Sequence, residues 1–326
     1  MGSRKSIGRG AVAVFVLAGA LLASGFGVSA DEGASVVLPS CCGGWTPPAG
    51  AHTGQAPSEK GSIEIRGLGT FAYDPGQIQA QREGLFRPGQ FSVFDVLVAL
   101  AKAGTIPMEY TYDESIGTYV ILSLNGKSGW WYDAHYAGGA FERPVVRMDE
   151  YPVKDGMAIQ LYLESPERLA AIYKDYADQV ARFKANAGRV IIPKVRVRAP
   201  QGTLTFDDVL VTAHNVRADV FQTGVITVLD VLLSLGEEGK LQSLTLSWRD
   251  RMESEGVVGN YYVDQIQTDG FSTVMSESTT YMHEVASTSL VGFLTSHEHM
   301  SSHVHLASDV EVLASPEYVE FQWSSL

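Results

Sequence analysis

One plan is written twice in this chain. An apolar helix pattern, Ser92-Val93-Phe94-Asp95-Val96-Leu97, returns as Thr227-Val228-Leu229-Asp230-Val231-Leu232. A hydroxyl residue at the cap and an acid three residues on form a capping box, each satisfying a backbone donor of the first turn. The two aspartates are therefore read as helix starts, not as general bases. Gly104 and Pro107 stop the first helix. Upstream, the alternating run Ile63-Glu64-Ile65-Arg66 is matched by Lys194-Val195-Arg196-Val197-Arg198, and Gly69 to Asp74 by Gly202 to Asp207. Downstream, Glu109 to Tyr112 is matched by Leu244 to Trp248. The strand before the hairpin turn Asn125-Gly126 is matched by Asn260 to Ile266 before Asp269-Gly270. Caps and turns repeated in one order point to an internal duplication.

Each unit reads as strand, strand, helix, strand, hairpin, strand. The expected class is α+β: two β-grasp-like modules, each one helix on a small mixed sheet, joined by a helix. The first module spans 62–164 and closes on Ala158 to Leu163. The joining helix, 165–188, has Ser165 as cap, Pro166 at its first position and an apolar stripe through Leu169, Ile172, Tyr173, Tyr176, Val180 and Phe183. The second module spans 189–326. It closes on Tyr318 to Trp323 after a long insertion from Ser272 to about Asp309. The first module's Trp130-Trp131-Tyr132 follows its hairpin; the matching place in the second is expected at Thr268 to Phe271, without the Trp pair.

Arg4, Lys5 and Arg9, the apolar run Ala11 to Leu22 and Val28-Ser29-Ala30 have the form of a secretory signal peptide over 1–30. The expected location is secreted, extracellular or periplasmic, with no membrane span in the mature chain. Residues 31–61, rich in Gly, Pro, Ser and Ala, read as a flexible linker whose lone Trp45 docks on the domain. The adjacent Cys41 and Cys42 allow tail thiols, a vicinal or intermolecular disulfide, or metal or lipid attachment. The formal charge is −13, and loss of the signal removes three basic residues and no acidic one. A chain this acidic disfavours nucleic acid, whose phosphates need basic patches, and favours cations.

The run Val93 to Leu97, the strand Tyr119 to Asn125-Gly126, Gly129-Trp130-Trp131-Tyr132 and Tyr151-Pro152-Val153-Lys154-Asp155-Gly156 together resemble the DUF4430 domain. That domain is similar to the C-terminal β-domain of transcobalamin and intrinsic factor, in the soluble-ligand-binding β-grasp group. The resemblance covers Ile63 to about Glu164 well and Val195 to about Trp323 weakly. It implies a secreted ligand-binding module, with cobalamin as the best-known ligand of the group.

Two candidate sites follow. In the first module Trp130 and Trp131 alternate in a strand, so one is expected in the core and the other is free to stack on a flat cofactor, corrinoid or haem-like. Tyr132 and His135, the latter on the loop that follows, complete that cofactor-binding set. In the insertion, Tyr281-Met282-His283-Glu284 precedes His297-Glu298-His299-Met300 and His303-Val304-His305, which hold five of the chain's eight histidines. His283, His297, His299, His303, His305 and Met300 are the candidate ligands for a transition metal, Cu or Zn: imidazoles bind both, and thioethers favour Cu(I). There is no GxSxG elbow, HExxH helix or Gly-rich phosphate loop after a strand. The expectation is a non-enzymatic binder of a small molecule or metal ion. The alternative is a structural or interaction subunit of an extracellular or cell-surface assembly, meeting other proteins or itself.

Overall fold

A computed structural model describes residues 35–39, 56–136, 141–251, 257–273, 279–290 and 307–325. The fold is mixed α+β. Strand β1 (Ser35–Pro39) comes first. Then follow β2 (Gly61–Ile65), β3 (Gly69–Tyr73), helix α1 (Val93–Lys102), β4 (Met108–Asp113), β5 (Thr118–Leu124), β6 (Trp130–His135), β7 (Phe141–Glu142) and β8 (Ala158–Leu163). Helix α2 (Pro166–Ala185) leads into β9 (Val190–Ala199), β10 (Gly202–Val211), α3 (Val228–Glu237), β11 (Ser243–Arg251), β12 (Val257–Thr268), β13 (Phe271–Ser272), β14 (Thr279–Ala286) and β15 (Tyr318–Ser325). Among the described residues, no helix is long and apolar enough to cross a membrane.

The two halves repeat one wiring. In the first, the sheet order is β3-β2-β8-β6-β7; in the second it is β10-β9-β15-β14. The first strand of each half pairs in parallel with the last, Ile63 opposite Ile159 and Val195 opposite Val319. Each helix is anchored in the same way. Ser92 Oγ accepts from the Asp95 N–H at 3.2 Å, and Asp95 Oδ2 accepts from the Ser92 N–H at 2.7 Å. In the second half Asp230 Oδ2 accepts from the Thr227 N–H at 2.6 Å. The next N–H groups, which a helix start leaves without intrahelical partners, reach carbonyls of a strap that crosses the helix end. Val93 and Phe94 donate to Tyr151 and Met148; Val228 and Leu229 donate to Glu311 and Ser308.

The capping aspartates also hold the preceding loops. Asp95 Oδ1 accepts from the Gln81 N–H, and Asp230 Oδ1 accepts from the His214 N–H, both at 2.7 Å. His214 Nδ1 lies 3.0 Å from the same oxygen, and its Nε2 lies 3.2 Å from Glu237. Burial opposes protonation of this imidazole, but Asp230 and Glu237 outweigh it and raise its pKa. A raised folded pKa contributes stability that is complete below the unfolded value of about 6.5 and is lost as pH rises through the folded value. His214→Gln should therefore flatten the stability profile above about pH 6.5. Urea melts at stepped pH check this; parallel profiles for the two proteins would remove the assignment.

The two halves meet across a local pseudo-two-fold seam. Phe86 lies as far before Ser92 as Phe221 lies before Thr227, and these two equivalent residues pair with each other in an antiparallel bridge. The Arg87 N–H donates to the Val220 carbonyl and the Gln222 N–H to the Leu85 carbonyl, each at 2.9 Å. The rings of Phe86 and Phe221 are 5.6 Å apart. Helix α2 caps on Ser165, as its Ser-Pro start predicts, and buries Leu169, Ile172 and Tyr176 in the first half's core. The far end of the expected stripe is open, with Phe183 39% exposed.

Three expectations need correction. The 31–61 stretch is not all linker: its run Ser35–Pro39, with the β-branched pair Val36-Val37, adds as a strand to the edge of β11. The insertion from Ser272 is not all insertion. It contains β14, which pairs with β15 as β6 pairs with β8, and it ends in the second strap, Ser308 to Leu313. The second half's counterpart of Trp130-Trp131-Tyr132 is therefore not Thr268 to Phe271 but Tyr281-Met282-His283, matched through Leu161 and Phe321 in the two closing strands. Residues 1–30, Cys41, Cys42 and Trp45 lie outside the described residues.

Candidate binding site

Strand β6 sits inside its sheet, between β8 and β7. Trp130 and Trp131 are each only 3% exposed, and Tyr132 is fully buried. The Trp130 indole donates to the Lys127 carbonyl at 3.0 Å, that of Trp131 to the Pro144 carbonyl at 2.8 Å, and Tyr132 Oη to the Val146 carbonyl at 2.9 Å. On α2, Tyr173 meets the Trp131 ring edge-on at 6.3 Å. The neighbouring Arg147 guanidinium lies 4.2 Å over Tyr176, whose hydroxyl donates to Val145. The gap left between the two indoles, Tyr119, Met148 and Tyr173 is about 10 Å³, room for roughly one water, against about 300–1,000 Å³ for a cofactor pocket. His135 ends β6 opposite Ala158 and is half-buried within the strand, not on the following loop.

In the second half the same register position carries a different chemistry. Tyr132 meets Tyr151 edge-on at 5.6 Å. At the equivalent places stand His283 and Glu311, with His283 Nε2 2.6 Å from Glu311 Oε2 and both side chains buried. An edge-on aromatic contact has become a histidine–carboxylate contact. A carboxylate on an imidazole nitrogen fixes its orientation, and here it also occupies that nitrogen. His297, His299, Met300, His303 and His305 lie outside the described residues. Among the described residues, no group of three or more His, Cys, Asp or Glu is placed to hold a metal ion.

The most developed polar sites are a pair of arginine–aspartate clamps, one per half. Arg82 Nη1 lies 3.3 Å from Asp149 Oδ2 and 2.7 Å from Glu150. Asp149 also accepts from Thr118 Oγ1 and from the Tyr119 N–H. In the second half Arg217 Nη1 donates to Asp309 Oδ2 at 2.9 Å and to Asn260 at 3.0 Å. Its other edge holds Asp219, and Asp309 accepts from the Tyr261 N–H at 2.9 Å. Burial and the neighbouring Glu150 push the Asp149 carboxyl up to about 6, against the pull of Arg82. Burial likewise holds Asp309 above the ordinary carboxylate range despite Arg217. Lys154 is driven down to about 8 by burial and then by Arg217, with Asp309 and Glu142 opposing. These clamps tie the strap to the hairpin; their oxygens are turned inward.

Neither arginine is among the expected site residues, although the repeat holds a signal for both. Arg82-Glu83-Gly84-Leu85-Phe86 and Arg217-Ala218-Asp219-Val220-Phe221 share an Arg, an aliphatic residue three positions on and then a Phe, at one distance from the two caps. The aspartate of each strap had no comparable local signal. Comparison with protein-family models, with curated proteins and with solved structures finds no match for this chain.

Proposed function

We propose that this chain is a secreted, non-enzymatic interaction subunit of an extracellular or cell-surface assembly, built from two modules of the β-grasp type. The carrying observation is a difference between equivalent hairpins. In the first half Tyr112 is 42% exposed and Leu122 50% exposed; in the second, Trp248 at the place of Tyr112 is 6% exposed. Large apolar side chains held open on a rigid hairpin are what a protein partner covers. The paired repeats, the resemblance to DUF4430 and the acidic composition fit an extracellular binding role.

The corrinoid or haem-like reading has less support. The faces and donors of Trp130, Trp131 and Tyr132 are already engaged by the chain itself. Metal binding stands as a second reading. The remaining four histidines lie in the sequence between the described His283, paired with Glu311, and the Asp309 clamp. Calorimetric titration of the purified chain with haem, cobalamin, Cu and Zn tests all three. Haem and cobalamin should bind no tighter than about millimolar, roughly −4 kcal/mol; micromolar binding of either would overturn the interaction reading. If Cu or Zn binds, His297→Ala with His299→Ala should abolish it, and retained affinity would remove the histidine tract as the site.

A further inference from the structure

We propose that the outer edge of β4 is the acceptor for an extended, largely apolar strand of another protein, added antiparallel as β1 is added to β11. This names the partner chemistry of the interaction role and rests on that reading. The hairpins β4–β5 and β11–β12 share a register, including an irregularity at the same point, Glu109/Tyr110 and Thr245/Leu246. Beyond it Tyr112 faces Tyr119 and Trp248 faces Tyr261, edge-on at 5.1 and 4.9 Å. In the second half the outer edge of β11 is covered, with Val36 opposite Leu246, Val37 opposite Thr245 and Leu38 opposite Leu244. The corresponding residues of β4 are Tyr110, Glu109 and Met108. Among the described residues, β4 has β5 as its sole strand neighbour.

An unpaired strand edge presents a row of N–H and C=O groups, and a strand added there gains main-chain hydrogen bonds with side-chain pockets at alternate positions. Leu244 and Leu246 are 3% and 0% exposed, while Met108 and Tyr110 at their places are only partly buried. A second copy of this chain is the poorer occupant. The one segment seen to fit such an edge is Ser35–Pro39, and lending it to a neighbour's β4 would uncover its own β11 with no net gain of pairing. The partner is therefore a different polypeptide, presenting a largely apolar run like Val36-Val37-Leu38. Glu109 adds a preference. It stands where Val37 would be met, so a basic residue at that partner position gains an opposite-charge cross-strand pair.

The probe is a synthetic peptide of residues 33–40, with variants carrying Lys or Glu at the Val37 position. The readouts are anisotropy and hydrogen exchange on the full chain. Bound peptide should slow exchange across Met108–Asp113 and leave Ser243–Arg251 unchanged. The Lys peptide should bind about two- to fivefold tighter than the Glu peptide, and Glu109→Lys should reverse that order. No protection of Met108–Asp113 at millimolar peptide would overturn the proposal, as would protection confined to Ser243–Arg251. Concentration-dependent protection of Met108–Asp113 in the chain alone would assign the edge to a second copy and overturn the partner named here. A failure of the peptide leaves the interaction reading to the haem and cobalamin titrations, which do not depend on β4.

Discussion

Replacing Arg217 by alanine should cost about 3–5 kcal/mol of unfolding free energy, because it strands buried carboxylates. Arg217 is 4% exposed and Asp309 fully buried. The guanidinium holds Asp309, Asn260 and Asp219 and lies 5.1 Å over the Trp248 ring. The coupling has a sign in pH. Asp309 already sits above the ordinary carboxylate range, and without Arg217 it should rise further. A carboxyl raised in the folded state keeps a proton that the unfolded chain gives up, so its contribution falls as pH rises through that window. The Arg217→Ala deficit should thus be largest near neutrality and shrink toward acid. Arg217→Met with Asp309→Leu should recover much of the loss, since the penalty is an unpaired charge more than a lost attraction. The first half supplies an internal control. The Arg82 side chain is 25% exposed, so Arg82→Ala should cost less, about 1.5–3 kcal/mol. Urea melts at two pH values measure all of this; equal losses at Arg82 and Arg217 would refute the burial argument.

What the sequence showed and what it hid divide along range. Signals confined to a few residues were readable. Ser92 with Asp95 and Thr227 with Asp230 announced α1 and α3, and Ser165-Pro166 announced α2. Asn125 and Gly126 both take positive φ, 50° and 75°, as the hairpin turn they encode requires. Pairings across the chain were not readable. Nothing local to Ser35–Pro39 names β11 as its partner, so composition alone points to linker there. Strand β14 was hidden because the segments around it are longer than in the first half, which moved the apparent match to the wrong hairpin. Alternation in a strand sends Trp130 and Trp131 to opposite faces. Alternation does not say whether a face is covered, and a strand inside a sheet with a helix packed beside it is covered on both.

The same distinction bears on function. The repeat provides its own comparison: wherever the halves agree, the shared feature is scaffold. Caps, straps, arginine clamps and the parallel pairing of first and last strands all fall in this class. Differences at equivalent positions are where the halves have been free to acquire separate roles. Two such places stand out among the described residues: the Tyr132–Tyr151 pair against His283–Glu311, and the open edge of β4 against the covered edge of β11. The first is internal. The second is at the surface, which is why the binding role is assigned there and not to the more conspicuous aromatic strand.

That assignment makes a strong demand on Trp131. If it is scaffold, Trp131→Ala should lose about 3–5 kcal/mol, the cost of emptying a large aromatic site in a core that relaxes only partly. Its contacts support the upper part of that range. The ring is packed between Tyr132 at 5.6 Å and Tyr173 of α2 at 6.3 Å, and its N–H satisfies the Pro144 carbonyl. Trp131→Phe separates the two contributions. It retains most of the apolar contact but leaves the carbonyl without its donor, so a loss of about 1–3 kcal/mol is expected. A cofactor platform predicts the opposite order of effects. An aromatic face reserved for a ligand could be truncated with little change in stability of the free protein, and ligand affinity would fall instead. Chemical denaturation of the two variants, read at constant m, decides between them. A Trp131→Ala midpoint within error of the parent would return the aromatic strand to candidacy as a binding face.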